Sequence, residues 1–385
     1  MGTGFISGLF ARAAARTPDL RVTSILTRRP PGHEDGVPSP ELLTRDRDEF
    51  LEQCDVVLEC SGDVWHAAEV IESALERRLP VATLNSQFHV TVGSYFAGRG
   101  LVSECEGDQP GSLAALKAEA VGMGFTPLAY VSMKGFLDPD PTPDSMRHWA
   151  EKQGISLPMV TSFTDGTKLD IEQVLVANGC GATIPPGGMV GPRLDSVSEA
   201  AAALAEVADS EGEAVSDYVL SRALPHGIFV AARHDPEQAA ALKYLKCGDG
   251  PVYAIVRPAI YAHLEAMRSI RVLVRERRVL LDNTARPRFS VGAVAKRDLS
   301  PGDCLPYGIG SFDVRGRVLR LAENPDHMPV GLIKDAIVRH PLKRGDLLMF
   351  DDLELADGLA KRAWQGIRDH AVADAHVRSH DAPAK

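Results

Sequence analysis

The chain has 385 residues, 44% of them hydrophobic, enough for two or three domains of roughly 100–200 residues each. A formal net charge of −10 leaves no global basic field for nucleic acid or an acidic membrane, so the expected partner is a small molecule held at a local site. No apolar run approaches the roughly 18 residues of a membrane span and no signal-peptide pattern opens the chain, which predicts a cytoplasmic protein. Six cysteines lie scattered without a CxxC pair or zinc-type spacing, so reduced thiols and no metal site are expected.

Taken in chain order, apolar strand-like runs alternate with amphipathic helical stretches over the first hundred residues, the pattern of a parallel sheet flanked by helices. Helices are predicted over 5–16, 48–54 and 64–78, and strands over 21–26, 55–59 and 81–84. This is a Rossmann-like reading with one piece missing. The turn Gly2-Thr3-Gly4 should follow a buried strand, yet only Met1 precedes it, and an interior strand cannot be omitted without exposing its neighbours' backbone groups. The expectation is therefore that further residues precede Met1.

Beyond this domain (1–105), helices at 112–122, 144–153, 168–177 and 196–209 mix with strands at 125–131, 217–222, 227–232 and 251–256. That mixture predicts an α+β catalytic domain over 106–284. Asp282-Asn283-Thr284-Ala285-Arg286-Pro287 reads as a linker, after which short strands broken by Ser300-Pro301-Gly302-Asp303 and Lys343-Arg344-Gly345-Asp346 predict a small β-rich domain over 288–358. The stretch 368–385, polar and poor in large apolar residues, is expected to form a disordered tail.

Gly2, Gly4 and Gly8 open a helix whose bare N–H groups could receive a pyrophosphate. Where an NAD enzyme places an acid for the ribose hydroxyls, this chain has Thr27-Arg28-Arg29-Pro30, and two guanidinium groups suit the 2′-phosphate of NADP. An exposed basic turn is the plainer alternative. Cys60, Ser61 and Gly62, closing the run Asp55-Val56-Val57-Leu58-Glu59, form a small-residue turn at the nicotinamide end of the sheet, and Asn85 is a polar contact for the nicotinamide or the substrate.

Three polar loop clusters follow: Gly107-Asp108-Gln109-Pro110-Gly111, Lys134-Gly135-Phe136 and Asp165-Gly166-Thr167-Lys168-Leu169-Asp170-Ile171-Glu172. Lysines beside acids can polarise a carbonyl or relay a proton, so Lys134 and Lys168 are the catalytic candidates, oriented by Asp165 and Glu172. Either lysine could instead be a solvated surface charge.

With these residues in place, the chain resembles the homoserine-dehydrogenase-like oxidoreductases that carry a C-terminal SAF domain. The resemblance rests on the Asp55-to-Gly62 run, the loop clusters opened by Gly107 and Asp165, Gly248-Asp249-Gly250-Pro251 and Arg257-Pro258, in that order along the chain. Ala295-Lys296-Arg297-Asp298-Leu299, Gly310-Ser311-Phe312-Asp313-Val314-Arg315-Gly316 and Pro329-Val330-Gly331-Leu332 resemble the SAF module. One branch of the group resembles the alternative reductoisomerases that convert 1-deoxy-xylulose 5-phosphate to 2-C-methylerythritol 4-phosphate with NADPH. The resemblance implies NADPH, a keto-sugar or polyol phosphate touched by Asp108, Gln109, Thr167 and Arg257, and a homodimer. The chain departs from the family pattern at Ser132, where an asparagine is expected, and at Ala259-Ile260, where an aromatic and a histidine are expected. A dehydrogenase acting on an amino-acid-like or polyol alcohol, and a non-catalytic sugar sensor built on the SAF module, are the competing readings.

Overall fold

A computed structural model describes residues 1–29 and 39–380, with side chains as far as Ala373. Pro30 of the basic turn and 381–385 of the expected tail lie outside the described residues.

The first unit is built on short parallel strands. Val57–Glu59, Val81–Thr83 and Val102–Glu104 form one sheet with Val57 opposite Val81 and Val81 opposite Val102. Ile25–Leu26 and Leu43–Thr44 form a second parallel pair. The first two residues of the chain join these sheets: Gly2 N donates to Leu26 O (3.0 Å), Met1 N to Leu58 O (2.7 Å) and Cys60 N to Met1 O (3.2 Å). Of the strand expected over 21–26, only Ile25–Leu26 is paired. Helix Val64–Glu76 starts at Asp63, whose carboxylate accepts from His66 N, and turns Ala67, Ala68, Val70, Ile71 and Ala74 to the core.

The second unit is a four-stranded sheet in the order Val215–Leu220, Thr126–Lys134, Ile228–Arg233, Val252–Arg257, whose first pair is parallel and the others antiparallel. Helix Val197–Glu211 lays Ala200, Ala201, Leu204 and Ala208 against Val131, Met133 and Phe229 of the sheet. Helix Thr167–Cys180 is buried almost all round, packed between helix Gln109–Gly122 and the third unit. Sequence periodicity missed helix His263–Arg275. It returns to the first unit and lays Ala266, Ile270 and Leu273 against Ala82, with Phe10 of helix Phe5–Ala14 alongside.

The third unit is β-rich. Phe289–Ala295 pairs antiparallel with Val314–Arg320, and Cys304–Tyr307, Lys334–Val338 and Leu353–Glu354 form a second antiparallel sheet. The chain then forms helix Leu359–His380, which packs on helix Val64–Glu76 through buried Ala360, Ala363, Trp364 and Ile367. The helix runs through 368–380 of the stretch expected to form a disordered tail. Ala371, Ala373 and Ala375 are strong helix formers, and a docked first turn supplies the nucleus that a free tail would lack. No helix among the described residues is long and apolar enough to cross a membrane.

Candidate active site

The glycine turn lies where the two parallel sheets meet. Gly2 has φ +96°, and a Cβ there would stand 3.1 Å from Cys60 O, so a side chain would be strained and crowded. Gly4 precedes helix Phe5–Ala14, whose first turn contains no acid, and a Cβ on Gly4 would meet nothing within 4 Å. Gly8 lies one turn further on and donates to Gly4 O. The N-terminal N–H groups of this helix therefore face an open approach, which suits an anion.

Beside the turn, Ser61 N and Oγ both donate to Glu59 Oε1 (2.6 and 2.5 Å), and Gly62 takes φ +67°. Burial pushes the Cys60 thiol up to about 12, so it stays protonated. Arg28 is held by Asp63 (2.7 Å), which also accepts from Lys334 Nζ of the third unit (2.9 Å), while the Arg29 side chain is exposed. Asn85 is buried and its Oδ1 caps Phe88 N (3.1 Å), leaving Nδ2 without a partner. A buried amide donor with nothing to bond fits a cofactor carboxamide or a substrate oxygen, and the open helix end fits a pyrophosphate.

The Lys134 and Lys168 clusters come together. Lys168 Nζ donates to Ser86 Oγ (2.6 Å) and Asp108 Oδ2 (3.1 Å) and lies 3.7 Å from Glu172 Oε1, one helical turn on. Lys134 Nζ, at the end of strand Thr126–Lys134, donates to Glu172 Oε2 (3.0 Å). With its amide nitrogen turned to the acids, Gln109 donates to Asp108 Oδ1 (2.8 Å) and Glu172 Oε1 (3.3 Å). The backbone of this loop needs its glycines. A Cβ on Gly107 would stand 2.0 Å from Ala262 O, and one on Gly111 1.8 Å from Cys105 O.

Burial opposes the charge on Lys168, but the carboxylates of Asp108 and Glu172 outweigh it and hold the ammonium above the ordinary lysine range. Burial raises Glu172, and Lys134 draws it part of the way back. At neutral pH Lys168 is thus a fixed cation, suited to polarise an oxygen and unsuited to act as a base.

Three of the expected catalytic and substrate residues are elsewhere. Asp165 does not orient either lysine; its carboxylate accepts from Lys296 Nζ (2.6 Å) and from Thr167 N (2.9 Å). Thr167 Oγ1 accepts from Gly316 N (2.9 Å), so both residues fasten the third unit to the start of helix Thr167–Cys180. The reason is local: Gly166, with φ +87°, leads into helix Thr167–Cys180, where successive side chains diverge by about 100°, so Lys168 faces the cleft and Thr167 the β unit. Arg257 makes no contact with the cluster and is bound to Glu106 (3.1 Å) and Glu119 (3.0 Å). Ser132, in place of the expected asparagine, accepts from buried Gln173 Nε2 (2.8 Å).

Sequence reasoning missed Ser86, whose only signal was its place after Asn85, and the buried pair His89–Glu104 (3.6 Å), which gave none. Among the described residues no group of three or more His, Cys, Asp and Glu side chains is placed to hold a metal.

Residues 107–266 match a family model described as the catalytic domain of oxidoreductase DRL. That segment holds Asp108, Lys134, Lys168 and Glu172. Following a parallel βα unit with a glycine turn, it makes the chain an NAD(P)-dependent oxidoreductase. Among solved structures, a probable dehydrogenase from Thermotoga maritima is similar at 14% identity, with 72% of this chain and 88% of that one covered and a TM-score of 0.41. A UDP-N-acetylglucosamine 3-dehydrogenase from Acidithiobacillus ferrooxidans is similar at 13% identity, with 74% and 90% covered and a TM-score of 0.40. Likenesses this distant say nothing of substrate. No curated protein matches the chain.

Proposed function

We propose that the protein reduces a small, oxygen-rich carbonyl compound, a keto-sugar or its phosphate, with NADPH, the reduction being coupled to a carbon-skeleton rearrangement. The observation that carries this reading is the Lys168 ammonium, fixed by Ser86 and Asp108 beside the paired Lys134 and Glu172. NADPH supplies hydride when bound. Reduction of a carbonyl builds negative charge on its oxygen, and a preorganised ammonium stabilises that charge more than the ground-state dipole. Lys134, which donates to Glu172, would deliver the proton the alkoxide needs, and Asp108 and Gln109 would hold substrate hydroxyls. Gly2, Gly4 and Gly8 would receive the pyrophosphate, Arg28 and Arg29 the 2′-phosphate, and Cys60, Ser61, Gly62 and Asn85 the nicotinamide half.

The β-rich third unit is proposed to be a SAF module and the protein to work in the cytoplasm as a homodimer, which light scattering would test. The test of function is consumption of NADPH against a panel of keto-sugars and their phosphates, run beside NAD(P)-dependent oxidation of amino-acid-like and polyol alcohols. Turnover only in the second panel would favour the dehydrogenase reading and overturn this one.

A further inference from the structure

Three strands of the first unit end side by side, and their last residues, Glu59, Thr83 and Glu104, stand in register across the sheet. All three are fully buried, yet the two acids are held differently. Glu59 accepts from Ser61 N, Ser61 Oγ and Thr83 Oγ1 (3.2 Å). Neither carboxyl oxygen of Glu104 has a hydrogen-bond partner among the described residues. Its neighbour is His89, whose Nε2 lies 3.6 Å from Oε2 and whose two ring nitrogens are equally without a partner. A carboxylate that neither water nor a donor reaches is too costly to keep ionised, so Glu104 holds its proton, and its O–H is the donor that the neutral imidazole lacks.

The pair stands behind the cleft lysine. His89 belongs to one helical run with Ser86: Ser86–Phe88 and Ser94–Phe96 are α-helical, and His89–Gly93 between them is a π-turn, a form that recurs at functional sites. Gly93 gives the imidazole its room, since a Cβ there would stand 3.1 Å from Nδ1. Glu104 ends the strand that leads into the Gly107 turn, four residues before Asp108. Ser86 and Asp108 are the residues that receive Lys168 Nζ. The two segments that hold the ammonium thus meet a second time, at two buried polar groups that no other described residue satisfies. The other titratable groups facing Glu104 are Asp108, Lys168 and Glu172 of the cleft, Glu59 in the same row, and the thiols of Cys60 and Cys105.

We propose that His89 and protonated Glu104 are positioning residues for Lys168: the carboxyl O–H bonds the imidazole, ties the Ser86 segment to the Asp108 segment, and keeps a further negative charge out of the cleft. Lys134 and Lys168 face Asp108 and Glu172, so the cationic and anionic groups of the cleft balance. Negative charge building on a reduced carbonyl oxygen then meets an ammonium that is not crowded with anions. An ionised Glu104 would add a third carboxylate beside Lys168 and oppose that charge. Burial, with Asp108 next, raises Glu104 well above the ordinary carboxylate value, and burial lowers His89 to about 3, so both are neutral at neutral pH. The brace stands on its own geometry; its effect on turnover rests on the place given to Lys168 above.

Two measurements on the full chain need no substrate. Carbon-13 NMR of the glutamate side chains, assigned with Glu104→Gln, should show Glu104 protonated at neutral pH and ionising only at higher pH. Competitive acylation with acetic anhydride, read by mass spectrometry, should find Lys168 roughly tenfold more reactive in Glu104→Leu and His89→Leu. In Glu104→Gln, whose amide can still donate to His89, Lys168 should be as protected as in the parent. A pair that only fills space would lower Tm in the two apolar variants and leave Lys168 unmoved. With a carbonyl substrate found by the NADPH panel, kcat of the parent should fall at alkaline pH as Glu104 ionises, and in Glu104→Gln that fall should move up in pH. Glu104→Leu should lower kcat by roughly 10- to 100-fold with NADPH affinity unchanged. Glu104 ionised at neutral pH, or Lys168 equally protected in every variant, would overturn the proposal, and the NMR reading decides even if the apolar variants fail to fold. A protonated Glu104, with Lys168 loosened in Glu104→Leu but kcat unchanged, would uphold the brace and overturn the reading of Lys168 as the group that polarises the carbonyl.

Discussion

Lys296, in the β-rich third unit, donates to Asp165 at 2.6 Å across the start of the helix that carries Lys168 and Glu172. Both side chains are buried, and Lys296 also donates to Ser311 O (2.7 Å), so the contact is a pin between units rather than a surface ion pair. Removing one partner leaves a buried charge uncompensated, at a cost of about 3–5 kcal/mol. Lys296→Met should therefore lower Tm sharply, and Lys296→Met/Asp165→Leu should recover much of the loss, measured by thermal denaturation. A single variant as stable as the parent would mean that the units are not joined here.

Lys168 should matter in the transition state more than in binding. Lys168→Met is expected to lower kcat by roughly 10²–10³-fold with NADPH affinity near that of the parent. Turnover within a factor of about three, well under 1 kcal/mol, would move the role to Lys134.

Cofactor choice should rest on the basic turn. Replacing Arg28 and Arg29 with Ser should weaken NADPH far more than NADH. Arg29→Ser alone should carry most of the loss, because Arg28 is already engaged by Asp63. Titration calorimetry with both nucleotides reads this directly, and equal affinity of the parent for the two would remove the basis for NADP preference.

The His89–Glu104 pair should give stability a plateau in pH. Burial lowers His89 to about 3 from 6.5 and raises Glu104 well above 4.5, so both are neutral in the folded protein. Between about pH 4.5 and 6.5 the folded and unfolded pair hold one proton each, and stability does not change. Below this the unfolded chain holds two protons to the folded one, so stability falls as pH falls. Above about 6.5 the unfolded pair holds none, so stability falls as pH rises until Glu104 itself ionises. Each slope is about 1.4 kcal/mol per pH unit. In Glu104→Gln the alkaline slope should vanish and the acid decline should begin near pH 6.5, checked by urea unfolding across pH. A parent profile without these slopes, or a variant with the parent's profile, would show that the pair is charged when folded.

The elements were most legible where one stretch of sequence carried its own pattern. Helix Val64–Glu76 announces itself by a 3.6-residue apolar face, and strand Val81–Thr83 by a short run with Val81, Ala82 and Leu84. The convergence of Lys134, Lys168, Glu172 and Asp108 followed from loop clusters rich in glycine and charge. Asp165 and Thr167 lay in the same motif, yet their partners, Lys296 and Gly316, come from more than a hundred residues away, and no local pattern reports which way a side chain faces after Gly166. His89 and Glu104 were invisible because they lie in different elements and no local pattern pairs them.

The packing of helices His263–Arg275 and Leu359–His380 against the first unit bears on the order in which this protein can mature. A ribosome releasing the chain at about 5–20 residues per second exposes the first parallel strands well before either covering helix exists. Apolar surface on helices Phe5–Ala14 and Val64–Glu76 would then stay open to solvent for many seconds. The nucleotide-type unit, though first in sequence, is thus among the last to close, and a nascent chain halted before Leu359 should be a target for chaperones that hold apolar surface.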